Sequence, residues 1–111
     1  MLDRPNPQHH YDVGHFDALL ETLLCKLLKF RIQRGFRNTM QAREIELLKC
    51  KLTDMIQENG WLNVRIMHHF LKLYHYARLQ AMIDTGFKDS SFPEECPWRI
   101  QDILRVDYFQ I

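Results

Sequence analysis

Three stretches of this chain repeat apolar residues at every third or fourth position, and each stops at a glycine or an Asn-Gly pair. That spacing gathers apolar side chains on one side of an α-helix, whereas a half-buried strand needs strict alternation. Alternation is absent except in the final residues. The chain is therefore confined to helix packed on helix.

The first stretch runs from Asp12, a suitable N-cap, to about Arg34, with Phe16, Leu20, Leu23, Leu24, Leu27 and Leu28 on its stripe. Leu19 and Phe30 widen that stripe past a half-turn, so this helix is expected to be the most buried of the set. Gly35 supplies a left-handed stop, and Phe36 is placed to fold back on the last turn. The second stretch opens at Asn38 with Gln41 three residues on, in the manner of a capping box, and reaches about Glu58 before Asn59-Gly60. Its core line is Ile45, Leu48, Leu52, Met55 and Ile56. The third begins near Leu62 or Asn63 and continues to Asp84, with Gly86 as its stop and Ile66, Phe70, Leu73, Ala77 and Ala81 inward.

A turn-rich connection, Lys88 to Pro97, follows, in which Ser91-Phe92-Pro93-Glu94 is read as capping one short helical turn. Pro97 then opens a last helix through about Arg105, with Ile100, Ile103 and Leu104 inward; Val106 to Ile111 is apolar. Residues 1–11 hold Pro5 and Pro7 and are read as a poorly ordered tail. Short connections favour antiparallel neighbours. The expected architecture is all-α: an up-down-up bundle of three long helices closed by one or two short carboxy-terminal helices, forming a single domain over residues 12–111. With 46% hydrophobic residues, 111 positions suffice for one core without metal or disulfide support.

Charge is sorted along this framework although the formal total is only +1. From Thr22 to Arg43 lie Lys26, Lys29, Arg31, Arg34, Arg37 and Arg43 with no acid, and from Asn59 to Ile83 lie Arg65, Lys72 and Arg78 with His68, His69 and His75, again with none. In the expected topology the first helix ends, the second begins and the third ends at one pole, which gathers Arg31, Arg34, Arg37, Arg43 and Arg78. Clustered guanidinium groups grip phosphate or carboxylate bidentately, so one reading is an anionic partner. The other is internal: the cations oppose helix dipoles, and Asp84, Asp89, Glu94 and Glu95 fold back to neutralise the pole. The outward face of the third helix, Arg65, His68, Lys72 and His75 with His69 and Tyr76, interleaves cations and rings as a nucleic-acid surface would, or is simply a solvated polar face. Long helices and a charge near zero set the chain apart from strong nucleic-acid binders.

The second helix also carries a thinner apolar stripe, Met40, Leu47 and Cys50, opposite its core line and shared with Arg43 and Asp54. Either the carboxy-terminal segment covers it or it forms a symmetric dimer through paired second helices. Trp61, Trp98, Tyr108 and Phe109 are read as exposed aromatics of the kind found at interface centres.

Catalytic signatures are missing: there is no Gly-rich phosphate loop, no G-x-S-x-G, no H-E-x-x-H and no inward pair of carboxylates. His9, His10, His15, His68, His69 and His75 show no converging metal-ligand spacing, so neither metal nor cofactor is expected. Cys25 reads as a small hydrophobe, while Cys50 is outward beside Lys49 and Lys51 without a positioned base. Three widely spaced cysteines do not form a disulfide framework, and neither a secretory signal nor a membrane span is visible; the expectation is a cytoplasmic or nuclear protein in a reducing compartment. The function expected from these features is a non-catalytic regulatory or adaptor protein that binds a protein partner through a helical face and the basic pole, as a homodimer. Nucleic-acid binding through the pole and the third-helix face is the alternative.

Overall fold

Helix α1 (Val13–Ile32) carries the broadest apolar surface and takes the middle place, packing along both α2 (Thr39–Glu58) and α3 (Trp61–Thr85), which touch each other little. Phe16, Leu20, Leu23, Leu24 and Leu28 are fully buried, and Leu19, Leu27 and Phe30 pack against them from the edges. In the computed structural model, residues 13–33, 35 and 37–104 are described. The expected tail (residues 1–11), the Asp12 cap, Arg34, Phe36, Arg105 and the segment Val106 to Ile111 lie outside them. Among the described residues there is no strand, and no helix is long and apolar enough to cross a membrane. The protein is an all-α bundle of three long helices closed by a short carboxy-terminal helix, α4 (Ile100–Leu104).

Ion pairs fix the directions. Lys26, late in α1, meets Glu44, early in α2, at 3.0 Å, so these helices are antiparallel. Arg65 meets Asp17 at the starts of α3 and α1, and Lys29 meets Asp84 at 3.0 Å near their ends, so α1 and α3 run in the same sense. The inward lines of α2 and α3 lie as the spacing requires: Ile45, Leu52, Met55, Ile56, Ile66, Leu73, Ala77 and Ala81 are buried, with Leu48 and Phe70 at the edge.

Helix ends depart from the sequence reading in two places. Asn38 Oδ1 accepts from the Gln41 amide at 2.9 Å, but Gln41 Oε1 finds no donor among the described residues, so only half of the capping box forms. Gly35 does not take a left-handed conformation; Gly86, with φ of 74°, does. The end of α1 is closed instead by Arg37, whose guanidinium donates to the carbonyls of Phe30 and Arg31, groups that a helix terminus otherwise leaves without partners.

Beyond Gly86 the chain turns back and fills the gap between α3 and α2. The helical turn expected at Ser91 to Glu94 falls earlier, as a 3₁₀ turn over Asp89–Ser91. Pro93 explains the shift: the residue before a proline is driven to extended backbone, and Phe92 has φ −114° and ψ 142°. Extension sends the Phe92 ring into the core. The last helix begins at Ile100, three residues past the expected Pro97, and Thr53 Oγ1 on α2 donates to Leu104 O at 3.2 Å. Residues 87–104 thus form a strap from α3 to α2.

Gly86→Ala places a Cβ at positive φ and is expected to cost about 1–2 kcal/mol in urea unfolding. Gly35→Ala meets no atom within 4 Å and no such backbone demand, and is expected to leave stability unchanged or slightly raised. Equal losses at the two sites would contradict this assignment of the helix stops.

Candidate functional site

The topology brings Arg31, Arg37 and Arg78 to one end of the bundle and sets Arg43 on the first turns of α2; Arg34 is outside the described residues. Their guanidinium groups do not form a common open site. Arg78 Nε donates to Pro93 O at 3.1 Å, and its Nη2 donates to Asp89 O at 2.7 Å and Phe92 O at 3.2 Å. Arg37 is committed to the last turn of α1, with its guanidinium carbon 5.9 Å from the centre of the Phe30 ring. Arg31 and Arg43 remain exposed.

The pole keeps its charge, but two of its guanidinium groups are tied down by main-chain oxygens and not by a fold-back of carboxylates. Among the described residues no ion pair joins Asp89, Glu94 or Glu95 to an arginine; main-chain oxygens of the strap hold Arg78 instead. Only Asp84 acts through its carboxylate, accepting from Lys29 at 3.0 Å and from Gln80 at 2.7 Å. The Lys29 hydrogen bond, then that of Gln80, hold its pKa below the usual aspartate value of 3.8. Tyr74 is buried, and its hydroxyl donates to Pro93 O; burial pushes it up to about 12, so it stays a donor throughout the physiological range.

A cleft of about 240 Å³ between α1 and α3 is lined by Cys25, Lys26, Lys29, Gln80 and Asp84. Its lysines are paired with Glu44 and Asp84, and Glu21 and Thr22 complete its lining. Burial, the largest influence, raises the Cys25 thiol to about 11, and its Sγ lies 3.8 Å from Asp84 Oδ2. A thiol so placed packs as an apolar group and is a poor nucleophile. Cys50 is exposed. Among the described residues no three His, Cys, Asp or Glu side chains are grouped to hold a metal ion.

The outward face of α3 holds the residues expected there, with one correction. Arg65 is drawn sideways into a two-point contact with Asp17 of α1 and does not stand free; Nε to Oδ1 is 3.0 Å. His68, Lys72, His75 and Tyr76 are exposed, His69 is half-buried, and the Lys72 ammonium lies 6.0 Å from the centre of the Tyr76 ring. Between these polar groups stand large apolar side chains that the polar reading overlooked. Met67 is 77% exposed, Leu71 65% and Ile83 74%, with Val64 and Leu79 more than half exposed. Met67, Leu71, His75, Leu79 and Ile83 follow one another at intervals of four and form a single ridge. The interval is visible in the sequence, but spacing alone does not tell whether another part of the chain covers these residues.

On α2 the expected outward stripe is open, with Met40 66% and Leu47 63% exposed and Cys50 beside them. It is the smaller of the two apolar surfaces. Trp61 is exposed; Trp98 packs against the core and is not a free aromatic, and Tyr108 and Phe109 fall outside the described residues. Alongside the α3 ridge, a cleft of about 570 Å³ has Leu71, Tyr74 and Cys96 with His75, Glu94 and Glu95 around it.

Because the folded pKa of Asp84 is depressed, its contribution to stability is present above about pH 4 and disappears as pH falls through the lowered value. Asp84→Asn is therefore expected to cost less than ~1 kcal/mol at pH 7, the carboxylate being partly exposed. In urea melts the difference from the parent should narrow as pH drops below about 4. A gap that did not change with pH would contradict the pairing.

Among curated proteins and solved structures none matches the chain. A family model described as a domain of unknown function, DUF29, matches residues 11–109, a span that takes in the three long helices, the strap and α4. The chain belongs to the DUF29 family.

Proposed function

We propose that this protein is a non-catalytic binding module of regulatory or adaptor type, which docks a protein partner on the outward face of α3. The observation that carries the reading is the exposed ridge of Met67, Leu71, Leu79 and Ile83. Single apolar residues on a surface are ordinary, but four large ones on one row, broken only by His75, are not, and methionine and large aliphatic groups flanked by an aromatic are the makings of an interface centre. The ridge also has the interval at which a second helix interlocks, four residues to four. Of the basic pole, Arg31 and Arg43 stay exposed, while Arg37 and Arg78 serve the fold. The paired lysines of the α1–α3 cleft and its protonated thiol support a role without catalysis.

The nucleic-acid reading draws support from Lys72 lying against Tyr76 beside His68 and His75. It needs the pole and this face to reach one ligand together, and Arg37, Arg65 and Arg78 are all engaged within the molecule. A protein partner asks for none of these cations.

A photoreactive phenylalanine analogue at Leu71 or Leu79 is expected to give adducts with another polypeptide in cells that express the chain, whereas one at exposed Gln57 on α2 is not. No adduct, or equal labelling from all three positions, would sink the docking reading. Titration with random duplex and single-stranded oligonucleotides at two salt concentrations tests the other: binding at micromolar or lower concentration that weakens steeply with salt would support it, and no binding at low salt would remove it.

A further inference from the structure

The ridge of α3 separates two charges of opposite sign at one height. Viewed down the helix at about 100° per residue, Leu71 and Arg78 lie to one side of His75, toward the strap, and Lys72 lies to the other, toward α1. Glu94 and Glu95 line the cleft beside Leu71 and His75, so exposed carboxylates stand on the strap side level with exposed Lys72 on the α1 side. No salt bridge joins them across the ridge among the described residues.

This arrangement is complementary to itself under one symmetry. A two-fold axis along the bundle sets two α3 helices face to face in the same sense, and it brings the Lys72 side of each against the Glu94 and Glu95 side of the other. A two-fold axis across the helices, giving an antiparallel pair, would set carboxylates against carboxylates and Lys72 against its own mate. Like charges across an interface cost affinity and opposite ones fix register. The four-residue ridges of both copies interlock at a crossing angle of roughly 50° in the first arrangement, with Leu71 and Leu79 each approaching their own mates.

Resting on the docking reading above, we propose that the partner is a second copy of this chain, joined through α3 in parallel, with Lys72 of each copy facing Glu94 and Glu95 of the other. The dimer is isologous, so each charge contact occurs twice and a single substitution counts twice.

The test is solution mass by light scattering and sedimentation over a range of concentration, with exposed-site variants that leave the core untouched. The full chain is expected to be a dimer. Lys72→Glu, and separately Glu94→Lys with Glu95→Lys, should each raise the dimer dissociation constant about tenfold. Combining all three reversals should restore it to within about threefold of the parent. Leu79→Glu should give a monomer and Leu47→Glu should not. In chains with Cys50→Ser, Leu71→Cys alone should form a disulfide-linked dimer beyond the background of the parent cysteines.

Loss of the dimer in Leu47→Glu but not in Leu79→Glu would move the interface to α2 and overturn the proposal. Failure of the combined reversal to rescue, or linkage only between Leu71→Cys and Leu79→Cys chains, would overturn the parallel arrangement. A strictly monomeric chain whose Leu71 and Leu79 probes still label a different protein would overturn the second copy while leaving the docking reading in place. A monomer without adducts would end both.

Discussion

The burial of α1 between two other helices is the constraint on which the bundle depends. A helix with an apolar stripe wider than a half-turn cannot satisfy itself against one neighbour, and α1 accordingly meets α2 on one side and α3 on the other. Phe16, Leu20, Leu23, Leu24 and Leu28 contribute on the order of 1.5–3 kcal/mol each in transfer terms, which exceeds anything the surface ion pairs can add. That central position also keeps α2 and α3 largely apart. The gap between them is where the strap lies, and it is why the strap must bring its own apolar residues, Phe92, Ile103 and Leu104, to finish the core.

A strap made of irregular backbone carries carbonyls that no helix or sheet satisfies. From α3, Arg78 and Tyr74 answer those of Phe92 and Pro93, Arg78 adds a second donor to Asp89 O, which also takes the Phe92 amide, and Thr53 answers one at the far end from α2. The same logic sets Arg37 on the carbonyls that end α1. Arginine suits both tasks because its planar fork can serve two or three acceptors at once. Two of the sorted cations, Arg37 and Arg78, are therefore donors for backbone oxygen at places where the fold leaves regular structure, while Lys26, Lys29 and Arg65 pair with carboxylates across helices.

Much of the fold was legible because helical spacing is a local property. The inward lines of α2 and α3, the Asn38 cap and the Gly86 stop each depend on residues within a turn or two of one another. The helix directions followed from short connections. What was not legible depended on contacts far apart in sequence: Arg65 to Asp17, Arg78 to the Asp89–Pro93 carbonyls, and Trp98 against the core. A guanidinium in a sequence looks the same whether an anion or the protein's own main chain will hold it. Gly35 shows a different kind of limit, since glycine permits a left-handed stop but does not require one, and Arg37 closed the helix by another route. The α3 ridge was hidden because one helix carries two apolar lines, and which of them meets the core is decided by packing against α1 and the strap, not by spacing.

That second line is what the fold itself does not ask for. Leu71 and Ile83 could be polar without disturbing Ile66, Leu73, Ala77 or Ala81, which already complete the inward face. Exposed aliphatic groups add little helix propensity over glutamate or lysine, so local stability gives no reason to keep them. They leave apolar area in water, at roughly 25 cal/mol per Å² that burial would recover. Nor does the strap shield them: it holds Tyr74 and Arg78 and passes beside Leu71 without covering it. Because Phe92 and Pro93 anchor the strap, Glu94 and Glu95 are held along the edge of the ridge, and the same anchoring that completes the core determines which charges a partner on α3 would meet.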